Sequence, residues 1–114
     1  MSGYILHPGA YTDLDEIWEF IAQDNLDLAD RVRDEIYEAI RALLAHPHQG
    51  HKRPDLTSRP LRFRTVGEYL IASAPDLRPL LVVAVLHGRR SPRVMAAILR
   101  GRENPGGITS KEQA

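Results

Sequence analysis

Leu61-Arg62-Phe63-Arg64-Thr65-Val66-Gly67-Glu68-Tyr69-Leu70-Ile71-Ala72-Ser73-Ala74-Pro75-Asp76-Leu77-Arg78-Pro79-Leu80-Leu81-Val82-Val83-Ala84-Val85-Leu86 is the stretch that decides the fold. Apolar and polar residues alternate over 61–66, the period of two that marks a half-buried strand. Gly67-Glu68 is a tight turn, 69–74 a second strand, 75–79 a proline-bracketed turn and 80–86 a third strand. Connections this short join antiparallel neighbours, so the stretch is a meander. Its last strand is apolar at every position. Both of its faces must therefore be covered, which places it inside the sheet.

Upstream the period lengthens. From Tyr11, the residues Leu14, Ile17, Trp18 and Ile21 recur at helical spacing, with Asp13, Asp15, Glu16 and Glu19 on the opposite side. Asp24-Asn25 breaks the pattern, and a second helix follows with Asn25 or Asp27 as its cap. Its stripe is Ala29, Val32, Ile36, Ile40 and Leu43, and it ends before Pro47. So short a joint makes the two helices an antiparallel hairpin. Tyr4-Ile5-Leu6 is a minimal strand cut off by His7-Pro8-Gly9. Residues 46–60 hold three prolines and no periodicity, and form a connecting loop. Ser91-Pro92 opens a short helix with Val94, Met95, Ile98 and Leu99 as its stripe. The expectation is one α+β domain over residues 1–100, with an N-terminal helical hairpin packed on an antiparallel sheet of three to four strands and a short C-terminal helix. A flexible tail is expected over 101–114.

The chain has 114 residues and no cysteine, enough for one modest core and without a disulfide or thiolate site. Its longest apolar run, 80–86, is far short of the ~18 residues a membrane span needs. The start Met1-Ser2-Gly3-Tyr4 has no basic region leading an apolar stretch. A cytoplasmic protein without membrane association is expected. The formal net charge of zero is a cancellation: residues 1–45 carry ten acids and three bases, residues 46–114 twelve bases and five acids. Such asymmetry between halves points to an interaction surface.

Arg62, Arg64, His87, Arg89, Arg90 and Arg93 lie on neighbouring strands and at the start of the last helix. They make a candidate face for an acidic or phosphate-bearing target, to which arginine's planar fork is suited. The plainer alternative is a charged sheet edge that discourages strand addition. The hairpin can cover only one face of 80–86. Leu80, Val82, Val83, Val85, Met95 and Leu99 are therefore candidate apolar contacts, the uncovered face meeting either the last helix or another chain. His46, His48 and His51 sit in a loop whose prolines limit their convergence, and no metal site is expected there. The helical acids, for example Asp15 with Glu19 or Glu35 with Glu38, belong to solvated faces, and Trp18 to the core. No nucleophile elbow and no phosphate-binding glycine loop is present, so no catalytic residue and no cofactor is assigned.

An ordered set of short motifs carries a resemblance. It runs from His7-Pro8 and Asp13-Leu14-Asp15-Glu16-Ile17-Trp18, through Ile21-Ala22-Gln23-Asp24-Asn25, to His46-Pro47 and Gly50. It continues with Arg53-Pro54-Asp55-Leu56, Val66-Gly67-Glu68-Tyr69-Leu70-Ile71 and Val85-Leu86-His87-Gly88-Arg89-Arg90. With this order and spacing the chain resembles the ParE/RelE superfamily of toxins from bacterial type II toxin-antitoxin systems, and more closely the ParE branch of plasmid stabilisation proteins. It departs from the pattern at Ala72-Ser73-Ala74, where similar proteins often carry aromatic residues. The resemblance implies a non-enzymatic toxin that a cognate ParD-like antitoxin neutralises in a hetero-oligomer, by laying an amphipathic helix or an added strand on Leu80, Val82, Val83, Val85, Met95 and Leu99. It also implies DNA gyrase as the poisoned target, with no direct nucleic-acid binding by the toxin alone. RelE-type relatives instead cleave mRNA on the ribosome, which needs an acid, a base and cations around the phosphate. His87 is the only histidine on an expected strand, but residues 70–114 contain no tyrosine of the kind those nucleases place near the C-terminus. A ribosome-dependent endonuclease is thus the alternative, and a non-toxic antitoxin-binding relic a third possibility.

Overall fold

The structure, a computed structural model, describes residues 3–102. Its elements are β1 (Tyr4–Leu6), α1 (Pro8–Ala22), α2 (Leu26–Ala42), β2 (Arg62–Val66), β3 (Tyr69–Ala74), β4 (Leu80–His87) and α3 (Pro92–Arg100). This is the α+β order that the sequence predicts, with one early difference. His7-Pro8-Gly9 does not separate strand from helix; it opens α1. Pro8 takes the first helical position, where a missing N–H costs nothing, and His7 Nδ1 accepts the Gly9 N–H at 2.9 Å. Asn25 caps α2 by accepting the Leu28 N–H at 3.0 Å.

The strand order is β1-β4-β3-β2. β2, β3 and β4 form the expected antiparallel meander. β1 joins β4 in parallel, with Tyr4 opposite Leu80 and Leu6 opposite Val82, so the sheet is mixed rather than antiparallel throughout. A parallel neighbour needs a long crossover, and the hairpin and meander between β1 and β4 provide it.

β4 is buried from Leu80 to Leu86, as an all-apolar strand requires. Leu80, Val82 and Val85 pack with Leu6, Leu14, Ile36, Ile40 and Ile71 under the hairpin. Leu81, Val83, Ala84 and Leu86 pack with Leu56, Phe63, Leu70, Met95 and Leu99 on the other face. A strict alternation would not give this split. Ala72 stands opposite Ala84 but Ser73 opposite Val82, so Val83 is an extra residue in β4. This bulge puts Val83 and Ala84 on one face and returns Val85 and His87 to the hairpin side.

Three expectations are corrected by the packing. Leu80, Val82, Val83, Val85, Met95 and Leu99 are each at most 2% exposed, so they are core and not a free surface for another chain. α3 and the 52–60 loop take the second sheet face. Trp18 lies half-buried outside the core clusters, where its Nε1 donates to Asp30 Oδ1 at 2.9 Å and the Arg33 guanidinium lies 5.9 Å from the ring centroid. It fastens α1 to α2. Asp13 turns inward, accepting the Val85 N–H at 2.9 Å and pairing with Arg102 at 2.6 Å. β4 runs past the end of β1, and a buried backbone N–H on that side requires a partner.

The 46–60 loop is tied to the sheet edge. His51 pairs with Phe63 across β2, and Gly50, at φ +106°, brings its backbone so close that a Cβ would lie 2.7 Å from the Phe63 carbonyl oxygen. Arg53 grips Asp55 with two hydrogen bonds of 2.9 and 2.8 Å, in the turn that plants Leu56 in the core. Of the tail expected over 101–114, residues 103–114 lie outside the described residues, and Arg102 is held by side-chain contacts.

Candidate functional site

At the joint end of the hairpin, where α1 passes into α2, the helices part from the sheet and leave an apolar cleft. Phe20 and Ile21 of α1, with Leu28, Val32 and Ile36 of α2, form one wall, while Val66, Gly67, Glu68, Tyr69 and His87 form the other. Its volume is about 390 Å³, and a neighbouring hollow of about 290 Å³, reaching Asp13, Glu16 and Arg90, shares Phe20, Tyr69 and His87 with it. The hairpin geometry explains the cleft. Ile36 and Ile40 are fully buried where α2 crosses the sheet, whereas toward the α1–α2 joint the helices face Val66, Tyr69 and His87 across the open cleft. Phe20 is consequently 73% exposed and Leu26 60% exposed, large apolar side chains left in water. A contiguous apolar concavity with a polar rim is what docking sites look like.

The polar rim is organised around His87. Its Nδ1 accepts the Arg89 N–H at 3.1 Å, and its Nε2 lies 3.2 Å from Glu68 Oε1. A neutral ring with the proton on Nε2 satisfies both contacts. The Tyr69 ring meets the imidazole edge-on at 5.3 Å. Burial, and secondarily the charge of Glu68, raises the Tyr69 hydroxyl above its ordinary pKa.

The bases singled out from the sequence do not form one face. Arg62 and Arg64 share a face, as their spacing predicts, and it is the hairpin side of β2, opposite buried Phe63. Arg62 reaches the Gly50 carbonyl at 3.4 Å, whereas Arg64 lines a hollow with Glu35 and Glu38 of α2. His87 and Arg90 meet in the cleft, and Arg89 and Arg93 are exposed in and just after the β4–α3 turn. The acidic and basic halves of the sequence thus share hollows at Arg64 and at Arg90 and are joined directly where Arg102 pairs with Asp13. Sequence reasoning missed Tyr69 and Phe20. Tyr69 lies one residue before the tyrosine-free stretch 70–114, and only the β3–β4 register sets it against His87; Phe20 lies outside the helical stripe. His48 Nε2 pairs with Asp76 Oδ1 at 2.9 Å, and among the described residues no group of three metal-type side chains converges.

Hairpin, mixed sheet, terminal helix and apolar cleft together define a small α+β protein with an open apolar groove between its helical and sheet layers. Residues 4–92 match the model of the family described as the ParE toxin of type II toxin-antitoxin systems, parDE, and the chain belongs to that family. A solved structure described as the chromosomal ParDE toxin-antitoxin system from P. aeruginosa is similar in fold, with a TM-score of 0.62 at 17% identity, over 74% of this chain and 92% of that one. Among curated proteins there is no significant match. No helix of the described residues is long and apolar enough to cross a membrane.

Proposed function

We propose that this chain is a non-enzymatic cytoplasmic toxin, held inactive by a ParD-like antitoxin seated in the Phe20–Leu28–Tyr69 cleft, and that the freed toxin poisons DNA gyrase. The observation that carries this reading is the cleft itself: an apolar concavity with Phe20 in water calls for a partner chain. An amphipathic helix laid in the groove would cover it, with apolar residues toward Phe20, Leu28 and Val32 and polar residues toward Glu35, Glu68 and Arg90. Family membership supports the toxin half of the proposal. Expression of the chain alone is expected to arrest growth with a DNA-damage response, and co-expression of the antitoxin encoded beside it to abolish the arrest. Harmless expression would leave the relic reading in its place.

One observation favours a second reading. Tyr69, His87 and Arg90 come together at one end of the cleft, a hydroxyl, an imidazole and a guanidinium within one hollow. Such a set suits cleavage of a ribose-phosphate backbone. Purified protein assayed on gyrase supercoiling and on translating ribosomes separates the two activities.

A further inference from the structure

A set of side-chain contacts converges at the end of α3, beside the hollow that Asp13 and Val85 also line. Arg102 closes a two-pronged pair on Asp13, Nη1 to Oδ2 at 2.6 Å and Nη2 to Oδ1 at 3.0 Å. Nη1 also donates to the Val83 carbonyl at 3.1 Å, while Asp13 Oδ2 accepts the Val85 N–H at 2.9 Å. The two side chains are only 16% and 12% exposed. From the opposite side Arg59 Nη1 donates to the carbonyls of Leu99 and Arg102, at 3.0 and 2.8 Å. It thereby ties the carbonyl end of α3 to the 46–60 loop, sharing the Leu99 carbonyl with the Arg102 N–H.

The position of the pair gives it meaning. β1 stops opposite Val82, and beyond it β4 has no strand on that side among the described residues. A bare edge there would offer the Val83 carbonyl and the Val85 N–H to any extended chain. The Asp13 carboxylate and the Arg102 guanidinium occupy them, acceptor on donor and donor on acceptor, as an added strand would. Gly9 makes room for this: a Cβ at that position would lie 2.4 Å from Arg102 Nε and 2.6 Å from its Cζ. Glycine inside a helix is destabilising relative to alanine, and here its missing side chain seats the guanidinium.

We infer that the Asp13–Arg102 pair is the latch of a hinged cover. Closed, it holds α3 on the sheet and plugs the β4 edge. Open, it lets α3 swing on the Gly88–Arg90 turn, freeing the Val83 carbonyl and uncovering the apolar face beneath Met95 and Leu99, while Asp13 on α1 stays on the Val85 N–H. α3 is built to separate: it has 9 residues, only Met95 and Leu99 among them are buried, and Val94 is 45% exposed. A short element with two anchors belongs to the class that opens without global unfolding. Removing one partner of a buried pair leaves the other charge uncompensated, so the latch should fail sharply.

Native-state hydrogen exchange on the full chain tests this, comparing amides of α3 with those of Val85 and of Ile71 and Ala72 in β3. Gly9→Ala displaces Arg102 without removing a charge, and Arg102→Gln removes the charge. In both, protection across Met95–Leu99 is expected to fall by about tenfold or more, while Ile71 and Ala72, and Val85 still held by Asp13, keep theirs. The exchange Asp13→Arg with Arg102→Asp keeps opposite charges but sets donor against donor at Val85 and acceptor against acceptor at Val83, and is expected to stay open. Unchanged α3 protection, an equal fall at Ile71 and Ala72, or a swapped pair with the wild-type pattern would each overturn the latch.

Discussion

Tyr69 and His87 stand directly opposite each other in the β3–β4 ladder, ring centroids 5.3 Å apart and planes at 75°. Edge-to-face packing of this kind fixes both rings beyond what burial alone would do. It sets the sheet wall of the cleft, and Phe20 faces it from the helical wall.

Phe20 is the first residue to change. A Phe20→Glu substitution should leave the melting temperature nearly unaltered, because exposed positions away from caps and pairs shift stability by about 0.5 kcal/mol or less. It should weaken antitoxin binding by about 2 kcal/mol or more, roughly thirtyfold, as expected for a central aromatic anchor. Isothermal titration against the antitoxin measures it; undiminished affinity would move the docking site away from the cleft.

His87→Ala and Tyr69→Phe address the chemistry. Wild-type protein is expected to inhibit gyrase supercoiling and to leave ribosome-bound mRNA intact. Cleavage of mRNA that disappears in either variant, or in Arg89→Ala, would instead make His87 and its neighbours catalytic.

Tyr69 and Tyr37 resist ionisation, Tyr69 through burial and then the charge of Glu68, Tyr37 through burial and then the nearby Tyr4, Tyr11 and Asp15. A pKa raised on folding means that the folded state holds its proton longer than the unfolded one. Their contribution is complete below the ordinary tyrosine value of 10.0 and is lost as pH rises through the higher folded values. Denaturant midpoints should therefore decline above about pH 10, and less steeply in a Tyr37→Phe, Tyr69→Phe double variant. Equal alkaline slopes in the two proteins would count against it.

Ile36 is fully buried beneath the hairpin and Val94 half-exposed on α3. Ile36→Ala should cost about 2–5 kcal/mol, the transfer free energy plus the cavity left behind. Val94→Ala should cost well under about 1 kcal/mol. Urea unfolding of both variants checks whether the hairpin face is the principal core.

Arg89 and Arg93 are exposed beside the cleft and Arg90 lines it. Changing Arg89 and Arg93 to Gln should slow association with an acidic partner and flatten its salt dependence, with little effect on dissociation. Stopped-flow association at two ionic strengths reads this directly.

The elements were legible from the sequence because each is written in local periodicity. Leu14, Ile17 and Ile21 announce α1, Ile36 and Ile40 announce α2, and the alternation at 61–66 announces β2. The unbroken run at 80–86 requires an interior strand, and β4 is one. The charge halves were equally plain, but their arrangement was not.

Tertiary contacts decided the rest. Which face each residue of β4 joins depends on the bulge at Val83, which comes from the pairing of Ala72 with Ala84 and Ser73 with Val82 and leaves no mark on the apolar run itself. That one-residue shift sends His87 to the cleft beside Tyr69. Parallel pairing of β1 likewise depends on a partner far along the chain, and Asp13 turns inward only because β4 outruns β1. Side-chain period in a helix or strand is a property of a few consecutive residues, so sequence determines it. Register, and the burial that follows from it, is set by residues tens of positions apart, which only the folded chain brings together.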